Sequence, residues 1–115
     1  MTETPAEQLL QRCVALAQEK KARDIVSLTL TGLTLIADYF LIMSATNTRQ
    51  AQAIADEITE TLKAEGRPAL RVEGHREGRW ILIDLGAVVV HVFLDDERAY
   101  YNLERLWGDA PRQAY

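Results

Sequence analysis

Two strand-forming runs of this sequence are separated by a single glycine, and that arrangement constrains the fold more than any other feature. The runs cover residues 79–85 (RWILIDL) and 87–94 (AVVVHVFL), and both are rich in β-branched and aromatic residues. Gly86 lies between them, and glycine favours a tight turn. The sequence therefore predicts an antiparallel hairpin, to which the remaining strands of a sheet must be added.

The length of the turn decides which side chains share a face of this hairpin. A two-residue turn, either Leu85-Gly86 or Gly86-Ala87, pairs even positions of the first arm with odd positions of the second. A three-residue turn would change that parity. The two-residue turn gives an aliphatic face consisting of Ile81, Ile83, Leu85, Val88, Val90 and Val92, and a mixed face consisting of Trp80, Leu82, Asp84, Val89, His91 and Phe93.

The mixed face is typical of a surface that meets another protein. Asp84 should not be buried within a monomer without a partner, and Trp80, Leu82 and Phe93 should not lie together in water. Interfaces are enriched in aromatic anchors accompanied by a few polar groups. In the alternative interpretation, the C-terminal helix covers this face and His91 satisfies Asp84 by hydrogen bonding.

The rest of the chain predicts elements in the order α-β-β-α-β-β-β-α. Thr4 before Pro5, with Glu7 three residues after Thr4, is typical of a helix start. Further strands are predicted at residues 24–30, 38–45 and 70–73, a helix at about 48–65, and one or two short helices after residue 94. This order indicates an α+β fold with a mixed sheet of about five strands, flanking helices and one parallel crossover.

Length and composition favour one ordinary domain. The chain has 115 residues and no linker or repeat, so a single domain over residues 1–115 is expected. Cys13 is the only cysteine and lies on the apolar stripe of the first helix, where a core position is expected. The sequence contains no run long enough to span a membrane and no signal-peptide pattern at its start, which predicts a cytoplasmic protein without membrane contact.

Common catalytic and metal-binding patterns are absent from the sequence. It contains no CxxC, HExxH, GxxxxGK[ST] or GxGxxG motif, so we expect no metal, no cofactor and no enzymatic activity. Ser44, His91 and Asp84 could compose a catalytic triad, but no G-x-S-x-G elbow surrounds the serine. Ser44 is instead predicted to cap the following helix as part of a polar cluster that consists of Ser44, Thr46, Asn47 and Thr48.

The distribution of charge argues for a protein partner and against nucleic acid. The net charge is -4, and acids interrupt the one candidate basic strip, so no sequence-specific nucleic-acid binding is expected. That strip would consist of Arg49, Arg67, Arg71, Arg76 and Arg79. The segment from residue 84 to residue 109 contains six acidic and only two basic residues, which predicts a basic protein partner for the C-terminal half.

Three segments of the chain resemble the ribosomal silencing factors, also called the Iojap or YbeB family. They are residues 38–58 (DYFLIMSATNTRQAQAIADEI), 73–93 (EGHREGRWILIDLGAVVVHVF) and 98–109 (RAYYNLERLWGD). The segments occur in the order found in that family, and together they extend over nearly the whole chain.

The resemblance implies a translational repressor without enzymatic activity. Proteins of that family bind the large ribosomal subunit through ribosomal protein L-fourteen and sterically block joining of the small subunit, which lowers translation when nutrients are limiting. The implied fold is nucleotidyltransferase-like but without the catalytic motif. Carried to this chain, the resemblance implies a partner-binding surface formed by Trp80, Leu82, Asp84, His91, Tyr100 and Tyr101.

Two alternatives stay open at this point. A small nucleotidyltransferase-like enzyme would use Asp84 and Glu73 as ligands of a divalent metal ion. A homodimer would instead bury the mixed face between two copies of the chain.

Overall fold

The computed structural model describes residues 3–115, and a six-stranded sheet runs through its centre. In chain order the elements are α1 (Pro5–Glu19), β1 (Arg23–Thr29), β2 (Tyr39–Ala45), α2 (Thr48–Ala64), β3 (Arg71–Glu73), β4 (Trp80–Asp84), β5 (Val88–Leu94), α3 (Asp95–Tyr101), α4 (Leu103–Leu106) and β6 (Arg112–Ala114). The strand order across the sheet is β3-β4-β5-β2-β1-β6. The α+β fold with a mixed sheet is therefore confirmed.

The parallel pair of the sheet is formed by β2 and β5, and every other neighbouring pair is antiparallel. The strand that directly follows α2 is β3, which lies at the edge and does not contact β2. The reason is burial. Strand β5 is almost entirely buried and needs neighbours on both sides, whereas the three residues of β3 are exposed and suit an edge.

The sixth strand, β6, was not predicted from the sequence. Its residues Arg112, Gln113 and Ala114 are exposed and have little strand propensity. They pair antiparallel with Val26, Ser27 and Leu28 of β1. This pairing covers the backbone groups that β1 would otherwise present at a free sheet edge.

Helices α1 and α2 cover one face of the sheet, and their starts are capped by local side chains. Thr4 Oγ1 accepts from the Glu7 amide at 3.1 Å, as the sequence predicts. At α2 the cap is Asn47, whose Oδ1 accepts from the Gln50 amide at 2.8 Å. The predicted polar cluster therefore caps this helix through Asn47. The prediction is wrong for Ser44, because its hydroxyl lies in strand β2 and binds elsewhere.

The core under α1 and α2 is aliphatic, and Cys13 belongs to it. The thiol is fully buried, and burial raises the pKa of Cys13 to about 12. A thiol with so high a pKa is a poor nucleophile, in agreement with its predicted core position. The α2 residues facing this core are Ala51, Ile54, Ala55, Ile58 and Leu62.

A second apolar cluster lies on the opposite face of the sheet. It is formed by Leu28, Leu30, Ala37, Phe40, Ile42, Val89, Phe93 and Ala110, with Leu103 and Trp107 packed against it. The chain between β5 and β6 therefore covers the β1, β2 and β5 part of this face. The side chains of β4 on the same face are only half-buried, so the sheet is left accessible at its β4 end. None of the helices within residues 3–115 combines the length and hydropathy that a bilayer crossing requires.

Candidate functional site

The hairpin of β4 and β5 has the register that the sequence predicts. The Leu85 amide donates to the Val88 carbonyl at 2.9 Å, so the turn consists of Gly86 and Ala87. The cross-strand pairs on the mixed face are Trp80 with Phe93, Leu82 with His91, and Asp84 with Val89. The division into an aliphatic and a mixed face is therefore confirmed, and the aliphatic face packs under α1 and α2.

The mixed face is buried along β5 and half-open along β4. Phe93, His91 and Val89 are buried, whereas Trp80, Leu82 and Asp84 keep part of their surface in solvent. The C-terminal helices therefore cover only the β5 half of the mixed face.

Aromatic rings continue the open half of this face onto α3. The Trp80 ring stacks on Phe93 with centroids 4.9 Å apart, and Tyr101 lies 4.5 Å from Trp80. Tyr100 contacts Tyr101 edge to face at 5.0 Å. Tyr101 is 45% exposed and Tyr100 81% exposed. The structure therefore brings four of the six sequence-predicted residues onto one accessible surface, here called the aromatic face: Trp80, Leu82, Tyr100 and Tyr101.

Leu106 of α4 borders the aromatic face, although the sequence reasoning did not include it in the site. Its side chain is 72% exposed and, with Tyr100 and Tyr101, lines a surface cavity of about 530 Å³. Helix α4 has four residues, which is too short for an apolar period to show which way Leu106 points.

His91 is a buried member of the site and contacts Trp80, not Asp84. Its Nδ1 accepts from Trp80 Nε1 at 3.1 Å, and the residue is 3% exposed. Burial lowers the pKa of His91 to about 4, so the imidazole is neutral at physiological pH. The hydrogen bond between His91 and Asp84 in the alternative interpretation is therefore wrong. A partner docking on this face meets the indole and not the imidazole.

Asp84 is satisfied by groups that the sequence did not connect to it. Its Oδ1 accepts from the Gly86 amide at 2.9 Å, and its Oδ2 lies 3.4 Å from Arg71 Nε. Arg71 also pairs with Glu73 at 2.7 Å. The guanidinium thus lies beside both carboxylates that the enzyme alternative would give to a metal ion, and its single positive charge offsets part of their combined charge. Within residues 3–115, no group of three or more His, Cys, Asp or Glu side chains could hold a metal ion.

The loop between β3 and β4 is tied to α2 and fixes the start of β4. Gln52 Nε2 donates to the His75 carbonyl at 2.9 Å, and Asp56 Oδ1 lies 2.8 Å from His75 Nε2. Gly74 has φ of +81°, and a Cβ at this position would lie 2.0 Å from the Trp80 carbonyl oxygen. Only glycine fits so close to that backbone, and the close approach locates Trp80 at the edge of the loop.

Arg98 anchors α3 to the sheet, and the sequence reasoning missed it. Its Nη1 donates to the Asp24 carbonyl at 2.7 Å and to Ser44 Oγ at 2.8 Å. Its Nε and Nη2 donate to the Glu104 carboxylate of α4, each at 3.1 Å. Asn102, with φ of +47°, joins the two helices. One guanidinium therefore holds both helices that carry Tyr100, Tyr101 and Leu106.

Ion pairs within the protein neutralise much of the acidic charge from which the sequence predicts a basic partner. Four of the six acids between residues 84 and 109 lie within ion-pair distance of an arginine. These pairs are Asp84 with Arg71, Asp95 with Arg23, Glu97 with Arg79, and Glu104 with Arg98. Three of these arginines lie outside that segment. The acidic excess of the folded surface is therefore smaller than the sequence count, and Arg71 and Arg79 do not form a free basic strip.

Comparison with known proteins gives a match over the whole described chain. The family described as "ribosomal silencing factor during starvation" matches residues 3–115. A ribosomal silencing factor RsfS from Halalkalibacterium halodurans is 52% identical over 105 residues, covering 91% of this chain and 90% of that protein. A mouse protein named mitochondrial assembly of ribosomal large subunit protein 1 is 33% identical over 97 residues, which are 82% of this chain and 42% of that protein.

A solved structure shows the same fold. A crystal structure of a protein from Chromobacterium violaceum superimposes with a TM-score of 0.88 at 32% sequence identity, and the alignment covers 91% of this chain and 88% of that one.

Proposed function

Because this chain belongs to the ribosomal silencing factor family, we propose that it represses translation by binding the large ribosomal subunit and sterically blocking the small subunit from joining. Family membership supports a ribosome-associated role in the regulation of translation. The proposed contact on the large subunit is ribosomal protein L-fourteen, and the proposed setting is nutrient limitation. The mouse relative is named for assembly of the ribosomal large subunit, which agrees with a partner on that subunit.

The observation that carries this proposal is the aromatic face. Exposed and half-exposed apolar side chains lie side by side on this face, namely Trp80, Leu82, Tyr100 and Tyr101, with Leu106 at the border. A folded domain that leaves aromatic rings accessible in this way has the features of a protein interface. The rings are supported from below by Phe93 and His91 and from the side by the Arg98 anchor, so the surface is preorganised for binding.

Asp84 belongs to the rim of this proposed interface. Its carboxylate is partly exposed and paired with Arg71. Rim charges of this kind influence the association rate and the choice of partner more than the final affinity. We propose this role for Asp84 in place of a catalytic one.

The proposal contains no chemical step and needs no cofactor. The protein acts as a steric block, for which a rigid fold and one docking surface suffice. We propose a cytoplasmic location, in agreement with a ribosomal target.

Binding to purified ribosomal subunits tests this proposal. We expect the protein to sediment with large subunits but not with small subunits, and to reduce the yield of joined ribosomes when both subunits are mixed. Tyr100→Ala should weaken the sedimentation, because Tyr100 is the most exposed ring of the aromatic face. Leu35→Ala is the matched control, since Leu35 is a fully exposed apolar residue in the connection between β1 and β2. Equal binding of both variants and the wild type would contradict the proposed surface.

The homodimer predicted as an alternative is tested with the same variants. If two copies pair through the aromatic face, sedimentation velocity should show a dimer that Tyr100→Ala weakens and that large subunits dissociate. A monomer at all concentrations would leave the face free for the ribosome alone.

A further inference from the structure

The hydrogen bond between Trp80 and His91 has a feature that stability alone does not explain. His91 Nδ1 accepts the indole N–H at 3.1 Å, but His91 Nε2 is buried and has no hydrogen-bond partner among residues 3–115. In the tautomer that accepts at Nδ1, the proton is on Nε2, so a buried donor is left unsatisfied. An unsatisfied buried donor lowers stability; an apolar residue of similar size would remove this donor but would leave the half-buried indole N–H of Trp80 without its acceptor.

The surroundings of the imidazole are aromatic. The Phe40 ring lies 4.6 Å from it at an interplanar angle of 61°, and the Phe93 ring lies 6.1 Å away and nearly parallel to it. In this setting the indole N–H of Trp80 is the polar group that His91 binds. What His91 supplies to this site is therefore a fixed acceptor beneath the aromatic face.

The indole ring needs such a fixed acceptor to keep one orientation. The Phe93 ring stacks on the Trp80 ring with centroids 4.9 Å apart, and the Tyr101 ring lies tilted to it at 4.5 Å; neither contact binds a particular atom of the indole. A hydrogen bond to the one polar atom of the indole selects a single arrangement. It also means that Nε1 is directed toward the sheet, so the accessible part of the ring is apolar.

We infer that His91 is a positioning residue for partner binding, which holds the Trp80 ring in the orientation that the partner recognises. This inference rests on the proposed ribosomal function. It also specifies the chemistry of the contact: the partner surface opposite Trp80 is apolar and provides no acceptor for the indole N–H, because that group is already used within the protein.

The test separates positioning from a structural role by measuring stability and binding on the same variants. His91→Leu removes the acceptor and the unsatisfied donor together, whereas His91→Asn keeps an acceptor oxygen near the position of Nδ1. We expect His91→Leu to unfold at about the same urea concentration as the wild type, because it removes the unsatisfied Nε2–H donor but leaves the Trp80 indole N–H without its acceptor. It should bind large subunits about threefold to tenfold more weakly, as expected for one lost hydrogen bond. His91→Asn should retain most of the binding.

Nuclear magnetic resonance provides an independent readout of the hydrogen bond. The chain has two tryptophans, Trp80 and Trp107, so its ¹⁵N-labelled form gives two indole N–H signals. The Trp80 signal should shift in His91→Leu, and the Trp107 signal should stay in place. If His91→Leu does not fold, His91→Met replaces it, because the flexible thioether fills the same space without a strong acceptor.

The possible failures are distinguishable. If Trp80→Ala binds large subunits as well as the wild type does, the proposed docking surface is wrong. If Trp80→Ala binds weakly but His91→Leu binds as the wild type does, only the positioning role is wrong. A loss of stability in His91→Leu that is proportional to its loss of binding would likewise assign His91 to the fold and overturn the inference.

Discussion

The Arg98 guanidinium donates to the Ser44 hydroxyl at 2.8 Å, which fastens helix α3 to the end of strand β2. The two residues are 54 positions apart in the chain. The side chains of Arg98 and its ion-pair partner Glu104 are 13% and 19% exposed, so the network is largely shielded from water. The C-terminal helices carry two of the accessible rings of the aromatic face, and this guanidinium holds them in position together with the apolar contacts of Leu103 and Trp107.

Arg98→Ala should destabilise the protein by about 3 kcal/mol, because it leaves Glu104 as a mostly buried carboxylate without its partner. Urea unfolding followed by circular dichroism measures this loss. The wild type should unfold in one transition, as expected of the single domain that the sequence predicts. Arg12→Ala is the control, since Arg12 forms an exposed ion pair with Glu65, and its unfolding midpoint should stay nearly unchanged. A midpoint for Arg98→Ala equal to that of Arg12→Ala would contradict the anchoring role.

Trp80→Ala should separate binding from folding. The ring is half-buried, stacks on Phe93 and contacts Tyr101 at a tilt, so we expect a stability loss of about 1–2 kcal/mol, less than for a fully buried tryptophan. Binding to large subunits should weaken by roughly 2 kcal/mol, about thirtyfold in dissociation constant. Paired urea unfolding and co-sedimentation measure the two quantities.

Trp107→Ala is the matched control for this substitution. Trp107 packs on Phe40 in the second apolar cluster and lies outside the aromatic face. This variant should lose stability without a comparable loss of binding once it is folded. A Trp80→Ala protein that is folded and binds like the wild type would remove Trp80 from the interface.

The hairpin register was predictable because strand side chains alternate with a period of two and Gly86 marks the turn. Once the two-residue turn had set which positions of the two strands pair, the residues on both faces of the hairpin followed. The Arg98 network was not predictable, since its partners come from positions that share no periodic relationship with Arg98. The same holds for Asp84, whose arginine comes from β3, and for β6, whose three residues form a strand only because β1 offers an edge.

The stability of the protein should fall as the pH is lowered from about 6.5 to 4, partly through His91. Burial lowers the pKa of His91 from 6.5 to about 4 in the folded state. The unfolded chain therefore binds a proton in this range that the folded chain does not, and protonation favours unfolding. The full effect is about 3 kcal/mol, and it levels off below pH 4.

Comparison with His91→Leu isolates this contribution from the carboxylates that titrate in the same range. Urea unfolding at several pH values gives the free energy of unfolding for both proteins. The wild type should lose more stability than His91→Leu between pH 6.5 and 4, and the two should change in parallel above pH 7. Parallel curves over the whole range would contradict the neutral, buried state of the imidazole.

The last prediction concerns the effect of salt on association with the large subunit. A basic ribosomal protein would attract the acidic residues near the aromatic face, so the association rate should fall from low to physiological salt. The fall should be modest, because Asp84, Asp95, Glu97 and Glu104 are each paired with an arginine. Phosphate-rich ribosomal RNA near the site would oppose the attraction and reduce the fall further.

Stopped-flow or surface-based kinetics with purified large subunits measure the rate. Asp96→Asn removes one exposed carboxylate of α3 and should lower the rate at low salt, whereas Glu60→Gln on the exposed side of α2 should not. An association rate that stays flat or rises with salt, or that responds equally to both substitutions, would show that acidic–basic attraction does not guide the encounter.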